Sequence, residues 1–300
     1  MSIRSKTVPL AAGLIALSVS LAGAQTQSRP GLRIPLQKDS VRFAVIGDSG
    51  TGEKEQYQIA KQMEAYRQAM NFDFVIMLGD NIYGEHEPRD FAKKFEVPYK
   101  PLLDAGVKFY ASLGNHDDPK LEASYKPFNM NGERYYTFKK GDVQFFALDS
   151  NYMDAKQLSW LEQNLKSSKA RWKICFFHHP LYNDGKMHGP DLDLRNQLSP
   201  LLKLYGVNVV FSGHEHAYER LKPVDNIYYF VQGDSGKLVH HDFRRSDLME
   251  KSFDRDRTFM IVEVAGENLS FQTISAGGDT VDTGTLPRPA ASVKAAAATK

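Results

Sequence analysis

The sequence predicts a single α/β domain with a largely parallel sheet over residues 41–285. Three observations carry that prediction. Short apolar runs of strand length alternate with segments of helical periodicity, several of those runs end in Gly and a polar turn, and no linker-like shift in composition interrupts the span. Strand–helix–strand alternation favours right-handed crossovers, which make neighbouring strands parallel.

Residues 1–24 have the layout of a secretory signal peptide. Arg4 and Lys6 precede an apolar run from Val8 to Leu21, and Ala22-Gly23-Ala24 supplies a small-x-small cleavage site. The run is too short and wrongly flanked for a membrane anchor, and no Cys follows the cleavage site to accept a lipid. The mature chain is therefore expected to be exported, periplasmic or secreted, without an anchor. Residues 25–40 are polar with Pro30 and Pro35 and read as an extended lead-in. "VRFAVIG" (41–47) is a buried strand, and Ile59, Met63 and Tyr66 give the next segment one apolar helical face. "FDFVIMLG" and "VKFYASLG" are strands on either side of a Pro-punctuated, mostly helical stretch, 88–104. "RYYTFKKGDVQFFALDS" reads as two strands about the turn Lys140-Gly141-Asp142. Asp154 opens a helix with Gln157 at the capping-box position and Leu158, Leu161 and Leu165 along one face. "RWKICFF", "VNVVFSG", "NIYYFVQG", "TFMIVEVA" and "NLSFQTIS" are further strands, with a helix in "DLRNQLSPLLKLYG". Beyond Leu286 the chain lacks large apolar residues, and 286–300 are expected to form a disordered tail.

Loss of Arg4 and Lys6 with the leader leaves 36 basic and 36 acidic residues. A near-neutral chain has no basic field to attract nucleic acid or acidic membrane, so neither is an expected partner. Any anionic substrate must be captured by local charge. The single Cys175 excludes an intrachain disulfide, and its place in "ICFF" points to core packing.

Five apolar runs end in a turn carrying Asp, Asn or His: "VIGDSG" (Asp48), "MLGDNIY" (Asp80), "SLGNHD" (Asn115, His116), "FFHHP" (His178, His179) and "FSGHEH" (His214, His216). In α/β sheets ligand sites form at the carboxyl ends of strands, so these turns can converge on one crevice. Carboxylates, imidazoles and an amide oxygen together suit cations such as Fe, Mn and Zn, with enough ligands for two metals bridged by Asp80. Taken singly each turn is weak, because Gly-Asp after a strand is most often only a turn.

In chain order the turns read D-x-G, G-D-x-x-Y, G-N-H-D, H-x-P and G-H-x-H. That order resembles the metallophosphoesterase (calcineurin-like) superfamily, and within it the purple acid phosphatases, small tartrate-resistant members included, over about residues 41–275. "GHEHAYER" looks particularly like the plant-type form of the last motif. The resemblance implies a β-sandwich of two mixed sheets flanked by helices in one domain. It also implies that Asp48, Asp80, Tyr83 and His216 hold Fe(III), with Asp80 bridging to a divalent ion (Fe, Zn or Mn) on Asn115, His178 and His214. Where the wider superfamily has D-x-H, this chain has Asp48-Ser49-Gly50. In the purple subgroup a Tyr three residues after the second Asp fills that place, and Tyr83 stands there as a hard phenolate donor.

Successive strand residues face opposite ways, so His178 and His179 cannot readily share an ion, and the apolar pattern of "ICFF" does not choose between them. The family's H-x-P arrangement selects His178 and leaves His179 as a departure, a supporting or rim residue. The resemblance places His116 over the phosphate, stabilising the transition state or protonating the leaving oxygen, and gives His188 a phosphate-contacting role. His86, His240 and His241 read as solvated or weakly structural, Asp234 as a turn residue and Ser49 as a backbone element.

The implied function is a secreted acid phosphatase that hydrolyses small phosphate monoesters with a metal-bound hydroxide as nucleophile, active at acidic pH and expected to be a monomer. Two alternatives use the same residues: a divalent-only (Mn or Zn) phosphodiesterase, and a secreted metal- or phosphate-binding protein without turnover. The short lead-in leaves no room for the amino-terminal domain of the large plant-type members.

Overall fold

The computed structural model describes residues 31–240 and 243–289. The chain opens with β1 (Val41–Ile46), α1 (Lys54–Met70), β2 (Phe74–Met77), a helical stretch of α2 (Pro88–Phe91), a π-helical turn (Ala92–Glu96) and α3 (Lys100–Asp104), then β3 (Lys108–Ala111) and α4 (Pro119–Ser124). It continues through β4 (Tyr136–Lys140), β5 (Val143–Ala147), α5 (Ala155–Ser167), β6 (Trp172–Phe176), α6 (Leu192–Leu204), β7 (Val209–Ser212), β8 (Tyr218–Leu221), β9 (Tyr228–Gln232) and β10 (Met249–Phe253). Strands β11 (Thr258–Ala265), β12 (Asn268–Ser275) and β13 (Thr280–Pro287) complete it.

These strands form two mixed sheets, ordered β13-β12-β11-β1-β2-β3 and β10-β8-β9-β7-β6-β5-β4. The parallel strands are therefore divided between two sheets rather than gathered in one. β1, β2 and β3 are parallel in the first, and β5, β6, β7 and β9 in the second. Antiparallel strands flank each set. The two-sheet sandwich implied by the family resemblance is what forms.

Side-chain parity explains why the core strands read as unbroken apolar runs. Phe145, Ile174 and Val209 lie in register and point between the sheets, where they meet Phe43, Phe74, Phe211, Phe230 and Phe271. The next row, Phe146, Cys175, Val210 and Tyr229, points outward against Leu161 and Leu165 of α5 and Leu194, Leu198 and Leu202 of α6. On the other sheet Ala44, Ile46, Val75 and Met77 face Ile59, Met63 and Tyr66 of α1. Both faces of each central sheet are covered, so alternation disappears from the sequence. Cys175 is a packing residue, and burial pushes its thiol pKa up.

The helix ends follow local chemistry. Asn71 stops α1 in a left-handed conformation at φ 56°. Asp154 caps α5 by accepting from Gln157 N–H at 2.8 Å, but the expected capping box is only half formed. The Gln157 amide instead donates to Asp149 O and accepts from Asp149 N–H, tying α5 to the end of β5.

Three strands carried too little apolar signal to be expected. β8 holds Glu219 and Arg220 at its centre, β10 is "MEKSF", and β13 is "TVDTGTLP" at a sheet edge. β13 pairs Leu286 with Leu269 and Pro287 with Asn268, so the folded domain runs past the expected boundary at 285. Residues 31–40 carry no helix or strand. The leader (1–24), the start of the lead-in (25–30) and 290–300 of the tail lie outside the described residues.

Phe145 packs its ring edge-on to Phe43 and Phe74 and stacks on Phe138 at 4.8 Å. Phe145→Ala is expected to lower unfolding free energy by about 3–5 kcal/mol. Urea denaturation followed by tryptophan fluorescence measures it, and an unchanged midpoint would contradict this account of the core.

Candidate metal centre

The five motif turns follow the carboxyl ends of β1, β2, β3, β6 and β7, and the two sheets bring them together. Asp48 N–H donates to Gly79 O at 3.0 Å, and Gly213 N–H to His178 O at 2.9 Å, lacing neighbouring turns within each sheet. Across the sheets His214 N–H donates to Asp48 Oδ2 at 2.9 Å, and His178 Nδ1 faces Leu78 O at 2.9 Å.

The backbone is held tightly here. Asp48 (φ 52°), Asp80 (φ 51°) and His214 (φ 68°) all lie in the left-handed region that L residues seldom occupy. The glycine before a ligand has its own steric reason. A Cβ on Gly114 would fall 2.2 Å from Asp80 Oδ1, and one on Gly213 would fall 2.5 Å from Asp48 Oδ2.

Every residue expected to bind metal reaches the crevice, in two groups. Asp48 Oδ1 lies 3.5 Å from the Tyr83 hydroxyl and 3.4 Å from His216 Nε2. His178 Nε2 lies 2.9 Å from Asn115 Oδ1, 3.0 Å from His214 Nδ1 and 3.5 Å from Asp80 Oδ1. Asp48, Asp80 and His178 each present an atom within 4.8 Å of the others, so the groups adjoin.

The protonation pattern follows from burial. Leu78 O can only accept, so the neutral His178 ring carries its proton on Nδ1 and turns the Nε2 lone pair to the centre. Burial pulls the His178 and His216 pKa values below the usual imidazole range and that of His214 to about 2. Burial, reinforced by Asp80, pushes Asp48 above the usual carboxylate range. Burial followed by the Asp48 and Asp80 charges raises the Tyr83 phenol.

His116 is exposed beside Asn115, with its backbone N–H on Asp80 Oδ1 at 3.0 Å and its ring 4.9 Å from that of Tyr83. The His188 ring lies 4.0 Å from His214. His179 stays next to the centre, 4.4 Å from the His214 ring, with Nδ1 2.9 Å from Ser150 Oγ. Asp234 is a buried turn anchor that accepts from Thr258 Oγ1. His86 is not solvated: its Nε2 takes Asp118 N–H at 3.1 Å and sits 3.2 Å from buried Glu122. His240 is exposed with Nδ1 on Asp254 O, and His241 lies outside the described residues.

Several supporting residues carried no metal-ligand signal. Asp117 accepts from Asn81 N, Ile82 N, Gly114 N and Asn81 Nδ2, knotting the turn of Asp80 and Tyr83 to that of Asn115. Glu215 accepts from His188 N and Gly189 N, while Glu219 accepts from Asp184 N and Gly185 N. The two acids of "GHEHAYER" thus hold the loop that presents His188. Their pairing with "G-H-x-H" was the one sequence cue available.

Residues 41–218 match the profile of the calcineurin-like phosphoesterase family. The chain belongs to that family. Over 242 residues the phosphoesterase is 32% identical to purple acid phosphatase 17 of Arabidopsis thaliana, spanning 67% of this chain and 70% of that protein. It is 24% identical over 299 residues to tartrate-resistant acid phosphatase type 5 of Rattus norvegicus, spanning 83% and 91%. In fold it resembles purple acid phosphatase PPD1 from yellow lupin (Lupinus luteus) seeds, with TM-score 0.70, 19% identity and coverage of 85% of this chain and 55% of that one. It also resembles GAP50, the anchor in the inner membrane complex of Plasmodium, with TM-score 0.72, 19% identity and coverage of 84% and 90%.

Burial raises the Glu219 carboxyl from 4.5 to about 8, although Asp184 N–H and Gly185 N–H oppose the shift. The folded phosphoesterase therefore holds this proton more tightly than the unfolded chain does, and this residue's contribution to stability falls as pH rises from about 4.5 to about 8. Glu219→Gln is expected to flatten that part of the profile. Melting temperatures of both forms across pH 4.5–8 test it, and parallel curves would refute it.

Proposed function

We propose that this phosphoesterase is an exported acid phosphatase that hydrolyses small phosphate monoesters at a dinuclear centre of Fe(III) and a divalent ion. One observation supports it above the rest: seven side chains fall into two donor sets that adjoin through Asp80. Asp48, Tyr83 and His216 would hold Fe(III) with Asp80, and Asn115, His178 and His214 would hold Fe, Zn or Mn with the same carboxylate.

The donors fit such ions. At the second set the His178 lone pair faces the Asn115 carbonyl at 2.9 Å, two acceptors with no proton to share, an arrangement a cation relieves. At the first, two carboxylates and a phenol are hard oxygen donors matched to Fe(III). Burial and the Asp48 and Asp80 charges raise the phenol's pKa, and a cation bound among these donors would oppose that shift. Two bound cations would supply positive charge for the phosphate oxygens and lower the pKa of water.

The chain's own groups then orient and move protons. His116, exposed and with its backbone N–H fixed to Asp80, leaves its ring free to protonate the leaving oxygen. His188, held over His214 by the grip of Glu215 on its backbone, offers a ring N–H to a phosphate oxygen. The near-neutral surface leaves substrate capture to this local charge. The leader-like residues 1–24 support export.

The test is a visible spectrum and metal analysis of wild type and Tyr83→Phe, with a chromogenic phosphomonoester and a diester assayed beside His116→Ala. A purple charge-transfer band lost in Tyr83→Phe is expected. Monoester turnover should fall about a hundredfold or more in His116→Ala. A colourless protein filled with two divalent ions and selective for the diester would make it a divalent phosphodiesterase. Metal-loaded protein that turns over neither ester would make it a binding protein.

A further inference from the structure

The second Gly-Asp-Ser-Gly, residues 233–236, runs into Lys237, which neither donor set uses. Its position is closely fixed. Ser235 N–H donates to Gly47 O at 3.2 Å, and Ser235 Oγ to Thr258 O at 2.8 Å. Gly236 lies so near the first turn that a Cβ would fall 2.6 Å from Ser49 O. Lys237 N–H then donates to Asp48 O at 3.1 Å. These constraints bring the half-buried ammonium over the Tyr83 ring, 4.6 Å from its centre.

Among the described residues Lys237 Nζ has no hydrogen-bond or ion-pair partner. Its neighbour Lys94 differs, since that ammonium bonds the Tyr83 carbonyl and pairs with Asp90. Lys237 is thus the unpaired cation against the phenol, with His116 the other ring packed on it. A cation over an aromatic face is attracted by the ring's negative π density, and more strongly when the site is desolvated.

We propose that Lys237 is a positioning residue for Tyr83, whose ammonium stabilises the negative charge that a metal-bound phenolate spreads onto its ring. This rests on the Fe(III)–Tyr83 reading above. The effect lowers the filled ring orbital from which the charge-transfer transition departs and strengthens the hold of Tyr83 on the ion. Removal of the charge therefore moves the band to longer wavelength.

The experiment uses the full mature protein loaded with iron, as wild type, Lys237→Met and Lys237→Arg, with iron content measured for each. Lys237→Met is expected to shift the visible maximum by about 10–20 nm to longer wavelength, with Lys237→Arg keeping the wild-type position. Iron lost from Lys237→Met but retained in Lys237→Arg supports the same assignment. An unmoved band at full iron content overturns it, as does equal iron loss from both variants, which would mark a steric role. A wild type with no band at all overturns the Fe(III) reading itself and is distinguishable from either result.

Discussion

The structure turns on a concentration of electron-pair donors turned toward one another in a buried crevice. Asp48 and Asp80 are buried together, three histidines beside them are neutral, and the Asn115 carbonyl points at one of the imidazole lone pairs. Buried carboxylates without a counter-charge cost several kcal/mol each in lost hydration. No Lys or Arg pairs with Asp48 or Asp80 among the described residues, so a bound cation is the compensation the site is shaped for. The left-handed backbone at Asp48, Asp80 and His214 belongs to the same economy, since strained φ values persist where the surroundings over-determine them.

That over-determination comes from the sandwich. Two sheets with covered outer faces pack their inner aromatic residues into one core, which fixes the relative height of β1, β2, β3, β6 and β7. The turns at their ends then have little freedom, and three acids remove what remains. Asp117 binds the turn of Tyr83 to that of Asn115, while Glu215 and Glu219 bind the His188 loop to the turn of His214 and His216. Each acts on backbone N–H groups, so a local change at any of them displaces a whole turn rather than one side chain.

What the sequence made legible follows from this division. Central strands and ligand turns were visible because each is a local pattern: an apolar run, then Gly and a polar donor. β8, β10 and β13 were not, because their chemistry is set by partners across a sheet edge, as with Arg220 on Asp282 and Leu286 opposite Leu269. The supporting acids escaped for a similar reason. Asp117 finds its partners in the Tyr83 turn 35 and 36 residues away, and no spacing rule separates such an acid from a solvated one. His86 read as solvated or weakly structural because its loop is polar, and of these the structural role holds, since Glu122 and Asp118 enclose it in space. The choice of His178 over His179 came only from the H-x-P resemblance; in the structure the Leu78 carbonyl orients His178, while His178, His179 and His214 all offer ligand atoms within 4.8 Å of one another.

The two classes of buried titratable group respond to acid in opposite directions. The lowered histidines stay neutral in the folded protein while the unfolded chain protonates them, so each withdraws stability as pH falls below about 6.5. Glu122 and Glu219, both raised to about 8, take up their protons before the unfolded chain does and return stability as pH falls from about 8 to about 4.5. The histidines line the metal centre and the two acids lie behind its loops. Acid therefore acts on these imidazole lone pairs last, because the burial that lowers their pKa values also keeps them from competing protons. A centre proposed to work at low pH needs that order, and it follows from the depth of the two sheets' carboxyl ends.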